Sequence, residues 1–259
     1  MNKTLKAYLA PIIFLLLVII LFEAMTKAFS ISPILLPAPS AILKAGIENF
    51  SELFSAGINS FIIAISGFSL SLFFGIFIAL IMAQSRLIEN SLYPYAIFFQ
   101  CVPIVALAPI FILWFGYGPP AMIIISFVIS LFPIITSTVN GLTSVKKEYL
   151  EMMNLYGANR LQILFKVRFP SAVPYMVTGA RVSAGLSVVG AIIGEYFAGL
   201  SGKARGLAYL IRSNEQNADF PYLFATTVAA AILGGIIFII TGFICDTIIK
   251  KGHFQKRNI

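Results

Sequence analysis

Charge is what this 259-residue chain has least of. Asp, Glu, Lys and Arg together make up 11% of it, less than half of the roughly 25% usual in a soluble domain. One His, one Trp and ten acids leave little material for metal or acid–base chemistry, and no His/Asp/Ser or metal cluster falls at a common depth. This argues against a membrane-embedded enzyme. The two cysteines, Cys101 and Cys245, lie far apart in apolar runs. That placement argues against a disulfide or metal site and for two small buried hydrophobes. The phosphate-binding pattern Gly-x-x-x-x-Gly-Lys-[Ser/Thr] is also missing: Gly202-Lys203 is followed by Ala204. The chain is therefore not read as an ATPase, and no cofactor is implied.

What is abundant is apolar surface, with 59% of residues hydrophobic. A membrane span takes about 20 predominantly apolar residues. An uncharged, slightly short first span runs from Ala7 to Phe22, between Lys6 and Glu23, and a second near Asn59–Ala83. No charge occurs from Asn90 to Val145, too long a stretch for one helix. Gly116-Tyr-Gly118-Pro119-Pro120 divides it into spans near Leu92–Phe115 and Ala121–Asn140, because Gly and Pro break helices. Pro174–Leu200 and Tyr222–Cys245 complete the set. The expected fold is an all-α integral membrane protein with six transmembrane helices. Lys3 and Lys6 ahead of the first span resemble a signal peptide, but Glu23-Ala-Met-Thr-Lys27 is a poor small-residue cleavage site, which favours an uncleaved helix.

The net charge of +8 is distributed as membrane topology rather than as a nucleic-acid surface. Basic residues accumulate on the cytoplasmic side. With the N-terminus inside, the inner segments hold 13 of the 18 Lys and Arg residues, Arg181 counted among them, and the outer segments hold 5. Both termini and the loop between the fourth and fifth spans are therefore expected in the cytoplasm. The outer segments are substantial. Ser40 is expected to cap a short helix after Leu35-Leu36-Pro37-Ala38-Pro39, and Ser201–Pro221 is polar, so both present surfaces to an extracytoplasmic partner.

The loop between the fourth and fifth spans is itself structured. Val145–Tyr156 contains good helix formers, and Gly157 stands where a left-handed residue would end the helix. Asn159 and Gln162 resemble a capping box opening a second helix expected to stop at Pro170. Leu150, Met153, Leu155 and Tyr156 are expected to form an apolar side, and Lys146, Lys147, Glu148 and Glu151 a charged one. Physics alone leaves two readings of comparable weight, a helix lying on lipid headgroups and a docking element for another protein.

The spacing carries a resemblance. Glu151-Met-Met-Asn-Leu-Tyr-Gly157, then nine residues, then Val167-Arg-Phe-Pro170, resembles the cytoplasmic signature loop of ATP-binding-cassette importer permeases. That motif is Glu-Ala-Ala, three residues, Gly, nine residues, Ile-x-Leu-Pro. Met152 and Met153 replace the alanines, and Phe169 the leucine. Pro103-Ile-Val-Ala-Leu-Ala-Pro109, Trp114-Phe-Gly-Tyr-Gly118 and Gly206-Leu-Ala-Tyr209 look like the nitrate/sulfonate/taurine branch, although Ala208 departs from its usual Gly. The resemblance covers roughly Gly57 to Ile249. It implies an N-terminal helix and extracytoplasmic segment over 1–56, a permease domain over 57–249 and a basic tail over 250–259.

The resemblance also implies partners: two copies of a separate ATPase, an extracytoplasmic substrate-binding protein, and a second permease chain, normally identical. The loop residues Glu148, Leu150, Glu151, Met153, Asn154, Gly157, Val167 and Pro170 would couple to the ATPase. Gly190-Ala-Ile-Ile-Gly194-Glu195-Tyr196 looks more like members importing pyrimidine thiamine precursors or similar heterocycles than those for nitrate or taurine, with aliphatic sulfonates next.

Candidate path residues are few. Gln100 and Pro103 sit in the third span, where a break frees backbone groups toward a cavity, although Gln100 also suits a helix–helix hydrogen bond. Glu195 lies near the outer end of the fifth span, where a carboxylate must be paired or face water. It either lines the path or pairs with an outer-loop base such as Arg205. Tyr93, Tyr95 and Trp114 read as interface anchors. Four-residue spacing of Gly67, Ser71, Gly75 and Ala79, and of Gly179, Ser183, Ser187, Ala191, Glu195 and Gly199, reads as close helix packing in lipid. The competing function class is an ion-coupled secondary transporter. Such proteins show internal repeats and midplane acids; no repeat is evident, and Glu195 is the one acid well inside a predicted span.

Overall fold

A computed structural model describes residues 3–199 and 205–251. His253, Leu200, Gly202-Lys203 and most of the 250–259 tail lie outside the described residues. Every regular element among the described residues is helical: α1 (Lys3–Ala28), α2 (Pro39–Glu48), α3 (Phe50–Met82), α4 (Arg86–Gln100), α5 (Ile104–Phe115) and α6 (Pro119–Thr143). After these come α7 (Lys147–Leu155), the short α8 (Arg160–Ile163), α9 (Phe169–Ala198), α10 (Leu207–Gln216) and α11 (Phe220–Lys251).

Three long helices, α3, α6 and α9, form the centre, and small residues set their approach. A Cβ on Gly190 would stand 2.6 Å from the Ser126 Cα, and one on Gly194 2.8 Å from the Met122 Cα. From α3, a Cβ on Gly75 would come within 2.8 Å of the Ile134 side chain of α6. Lipid supplies no hydrophobic drive between helices, so close contact and hydrogen bonding must hold them. Buried hydroxyls contribute: Ser71 and Ser130 share a bond of 2.6 Å, and Ser126 Oγ donates to the Ser187 carbonyl at 2.8 Å. Both predicted stripes are packing faces.

Among the described residues, five helical stretches have the length and hydropathy of a membrane span: α1, α3, α6, the run from Arg160 to Ala198, and α11. The sixth expected span, Leu92–Phe115, is not one straight helix. It is α4 and α5, bent by 98°, and the pair counts as a span only when taken together. Pro103 at the N-cap of α5 has φ −71° and ψ 97° and brings no N–H to continue α4. Gly116 and Gly118, at φ +76° and +115°, then make the expected turn into α6.

Two helix ends differ from expectation. The helix predicted to stop at Pro170 instead runs on into α9 through a π-helical turn at Leu164–Arg168. There the Phe169 N–H reaches the Leu164 carbonyl, and the widened turn accommodates the proline one residue later. The fifth span therefore begins well before Pro174. At α2, Ser40 is not the cap. Pro39 takes the first helical position, extended Ala38 precedes it without a side-chain bond, and Ser40 serves α1 instead. Its N–H and Oγ–H donate to Glu23 at 2.9 and 2.7 Å, while Lys27 pairs with the same carboxylate at 2.7 Å.

Candidate functional site

The loop helix α7 is closed at its far end by backbone geometry that Gly157 permits. Gly157 has φ +71°, a conformation that costs other L-residues energy. Its N–H donates to the Asn154 carbonyl at 2.9 Å, and the Ala158 N–H to that of Met153 at 3.0 Å. This is the paired Schellman closure. Asn159 then opens α8 with the predicted reciprocal box: the Gln162 N–H donates to Asn159 Oδ1 at 2.8 Å, and the Asn159 N–H to Gln162 Oε1 at 2.9 Å. Two helix ends thus meet across two residues, each closed by a pair of capping bonds.

The apolar side of α7 is not the expected one. Leu150 and Met153 face inward and are half-buried, while Leu155 and Tyr156 are 88% and 83% exposed. The exposed apolar stripe is Tyr149, Met152, Leu155 and Tyr156, three to four residues apart along one side. Tyr149 is the member that the sequence did not single out, although its spacing to Met152 and Tyr156 signals the stripe. Glu148, Glu151 and Asn154 are exposed beside it, and Val167 and Pro170 are half-buried behind. A solvated helix carrying such a stripe offers a surface to a partner.

At the opposite end of the bundle, Glu195 is 1% exposed. Its Oε2 accepts the Ser60 Oγ–H at 2.9 Å and the Ala208 N–H at 3.1 Å, and Ser60 Oγ accepts the Leu207 N–H at 2.9 Å. The first N–H groups of a helix lack intrahelical partners, and here α9 and α3 supply them to α10. The carboxyl group also lies at the N-terminal, positive end of that helix. Gly206 presses directly against the carboxyl group, leaving no room for a Cβ. The expected pairing with Arg205 is not made: Arg205 stacks on Tyr209 at 5.4 Å from the ring centroid, and its carbonyl accepts from Asn59 Nδ2 at 3.0 Å. A cavity of about 70 Å³ beside Glu195, Tyr196 and Arg212 falls far below the roughly 300–1,000 Å³ of ligand sites.

Gln100 Nε2 donates to Thr136 Oγ1 at 3.3 Å and remains exposed; Pro103 lies beside it at the bend. Tyr93, expected to anchor at the interface, donates to Asn140 Oδ1 at 2.9 Å. The three candidate path residues form no single site. Gly194 packs on Met122 and Gln100 bonds Thr136, 14 residues further along α6, or about 21 Å at 1.5 Å per residue.

One further reading changes. Cys245 is buried as expected, but Cys101 is exposed. Arg181, counted with the inner segments, lies well within α9, where it pairs with Asp246 of α11 and donates to the Gly242 carbonyl at 3.2 Å.

Comparison with known proteins settles the family. Residues 71–251 match the family described as binding-protein-dependent transport system inner membrane component. The chain belongs to this family. It is an ABC importer permease, a multi-pass membrane subunit for a small solute. The permease is 33% identical to the formylaminopyrimidine transport permease protein ThiX of Halalkalibacterium halodurans, over 87% of this chain and 89% of the relative. It is 29% identical to a putative aliphatic sulfonates transport permease, SsuC of Bacillus subtilis, over 79% of this chain and 73% of that one. Among solved structures, an inward-facing form of the MetNI methionine ABC transporter shares the fold, with TM-score 0.52 and 18% identity over 84% of this permease and 98% of that chain.

Proposed function

We propose that the permease carries a pyrimidine thiamine precursor or a similar small heterocycle, and that a separate pair of ATPases drives it through α7. The observation that carries the coupling is the exposed stripe Tyr149, Met152, Leu155 and Tyr156 on a helix closed by the Gly157 turn. The surrounding Glu148, Glu151 and Asn154 form the polar rim of the dock. Leu150, Met153, Val167 and Pro170 transmit its displacement into α6 and α9. The excess of Lys and Arg on the α7 side of the membrane supports placing that face and both termini in the cytoplasm. The chain pairs with a second identical copy, and a binding protein delivers solute at the opposite face, which includes α2 and α10. The functional unit is the 57–249 permease domain.

The solute class rests on similarity to ThiX, which is both higher in identity and longer in coverage than that to SsuC. Within the bundle, we assign path contacts to the α4–α5 bend, at Gln100 and Pro103. Glu195 acts as a positioning residue: it fixes α10 at the mouth rather than touching solute. The test is uptake into proteoliposomes containing the permease, its ATPase and its binding protein. ATP-dependent accumulation of formylaminopyrimidine, with none of an aliphatic sulfonate, is expected; the reverse preference would overturn the solute assignment.

A further inference from the structure

Where α3 and α6 end on the α7 side, the α3–α4 turn, the end of α6, α7 and the start of α8 enclose a cavity of about 650 Å³. Its charged lining is one-sided. Arg86, Lys147, Arg160 and Arg168 face it, with Glu89 the one acid among its lining residues. None of the four cations makes an ion pair among the described residues, where the pairs are Lys27–Glu23, Lys44–Glu48 and Arg181–Asp246. Neutral donors complete the wall, including Gln84, Ser85 and Asn90. Arg168 is half-buried and fixed in place by its Nη1 donating to the Ala83 carbonyl at 2.8 Å. A guanidinium has five N–H donors, so most of its fork is left for another acceptor.

We propose that this cavity holds the phosphate of an anionic phospholipid. Four cations around one acid call for an anion, and the planar guanidinium fork matches phosphate oxygens. A basic recess between helices at a membrane surface is where lipid headgroups are captured. The apolar neighbours favour a lipid over a free phosphate: Leu87, next to Arg86, is 77% exposed, and Leu161 and Phe165, one turn apart after Arg160, are 60% and 58% exposed. Acyl chains cover such residues, and a soluble phosphate does not. Because Lys147 and Leu150 belong to α7, the bound headgroup bridges the helix to the α3–α4 turn and braces it. This assignment depends neither on the solute nor on the ATPase dock.

The experiment uses the full chain purified in detergent. Native mass spectrometry follows retention of phosphatidylglycerol, phosphatidylcholine, inorganic phosphate and glycerol 3-phosphate. One phosphatidylglycerol per chain is expected to be held selectively over phosphatidylcholine. The R86Q/R160Q variant is expected to weaken it by at least about tenfold, at roughly one order of magnitude or less per cation, and K44Q not at all. Should the double variant fail to fold, K147Q and the comparison of the two lipids on the native chain read the same site. Equal retention of both lipids, or binding of phosphatidylglycerol that ignores the substitutions, overturns the proposal. So does saturation by inorganic phosphate or glycerol 3-phosphate as readily as by lipid, which would make it a soluble-phosphate site. Release of the lipid on assembly with the ATPase would assign the cavity to a protein interface and overturn it too.

Discussion

Ser60 of α3 and Glu195 of α9, 135 residues apart in sequence, share a buried hydrogen bond of 2.9 Å. Together they take up the Leu207 and Ala208 N–H groups that open α10. The pair makes a helix at one face of the membrane part of the core, and it defines what a substitution there must do.

Glu195→Ala leaves the Ala208 N–H and the Ser60 hydroxyl without their buried acceptor, a cost of about 1–3 kcal/mol for such a group. Hydrogen–deuterium exchange across α10 should speed up and the unfolding temperature fall. Glu195→Gln keeps an acceptor oxygen and should lose less. If α10 exchanges in Glu195→Ala as in the native chain, the positioning role is wrong.

Gly157 tests the turn behind α7. No atom lies within 4 Å of a Cβ built there, so the penalty of a side chain is in the backbone, about 1–2 kcal/mol for a left-handed residue. Gly157→Asn, which tolerates that region, should keep most solute-stimulated ATPase activity, and Gly157→Val should lose much of it. Equal activity in the two variants would contradict the account.

The α9–α6 contact offers a paired comparison. Gly190→Val drives a side chain into the Ser126 backbone, from which even a Cβ would be only 2.6 Å, and overpacking of this kind costs about 1–3 kcal/mol. Gly185→Ala, five residues away with nothing within 4 Å, should be neutral. Thermal unfolding in detergent distinguishes them; matching midpoints would mean that α6 and α9 are not held this closely.

Arg181 and Asp246 can be exchanged. Asp246→Arg alone places two guanidinium groups together within the helices and should reduce folded protein in the membrane, whereas R181D/D246R should restore part of it. Yield and unfolding midpoint of four chains, native, R181D, D246R and the double variant, report the coupling, and additive losses in the double variant would argue against the pair.

Local chemistry was legible in the sequence where partners lie within a few residues. Gly157 and the Asn159–Gln162 box close one helix and open the next using only neighbouring backbone. The stripes through Gly75 and Ser187 were legible too, because close packing in lipid demands small residues whatever the neighbour. Proline at 103 marked a break, but its angle is set by what α4 and α5 pack against. Likewise, whether Leu150 or Tyr149 faces inward depends on where the bundle lies relative to α7. Ser60 as the partner of Glu195, and Asp246 as that of Arg181, arise from contacts between distant helices that no spacing announces.

The central claim is that α7 receives force from an ATPase through its exposed stripe. Leu155 and Tyr156 are 88% and 83% exposed, so L155D/Y156D should leave unfolding within about 0.5 kcal/mol of native. The deciding measurement is the ATP hydrolysis rate of the reconstituted transporter with binding protein and solute, native against L155D/Y156D. Loss of solute stimulation, with membrane insertion and unfolding midpoint unchanged, is the predicted result. Full stimulation in the double variant would contradict it.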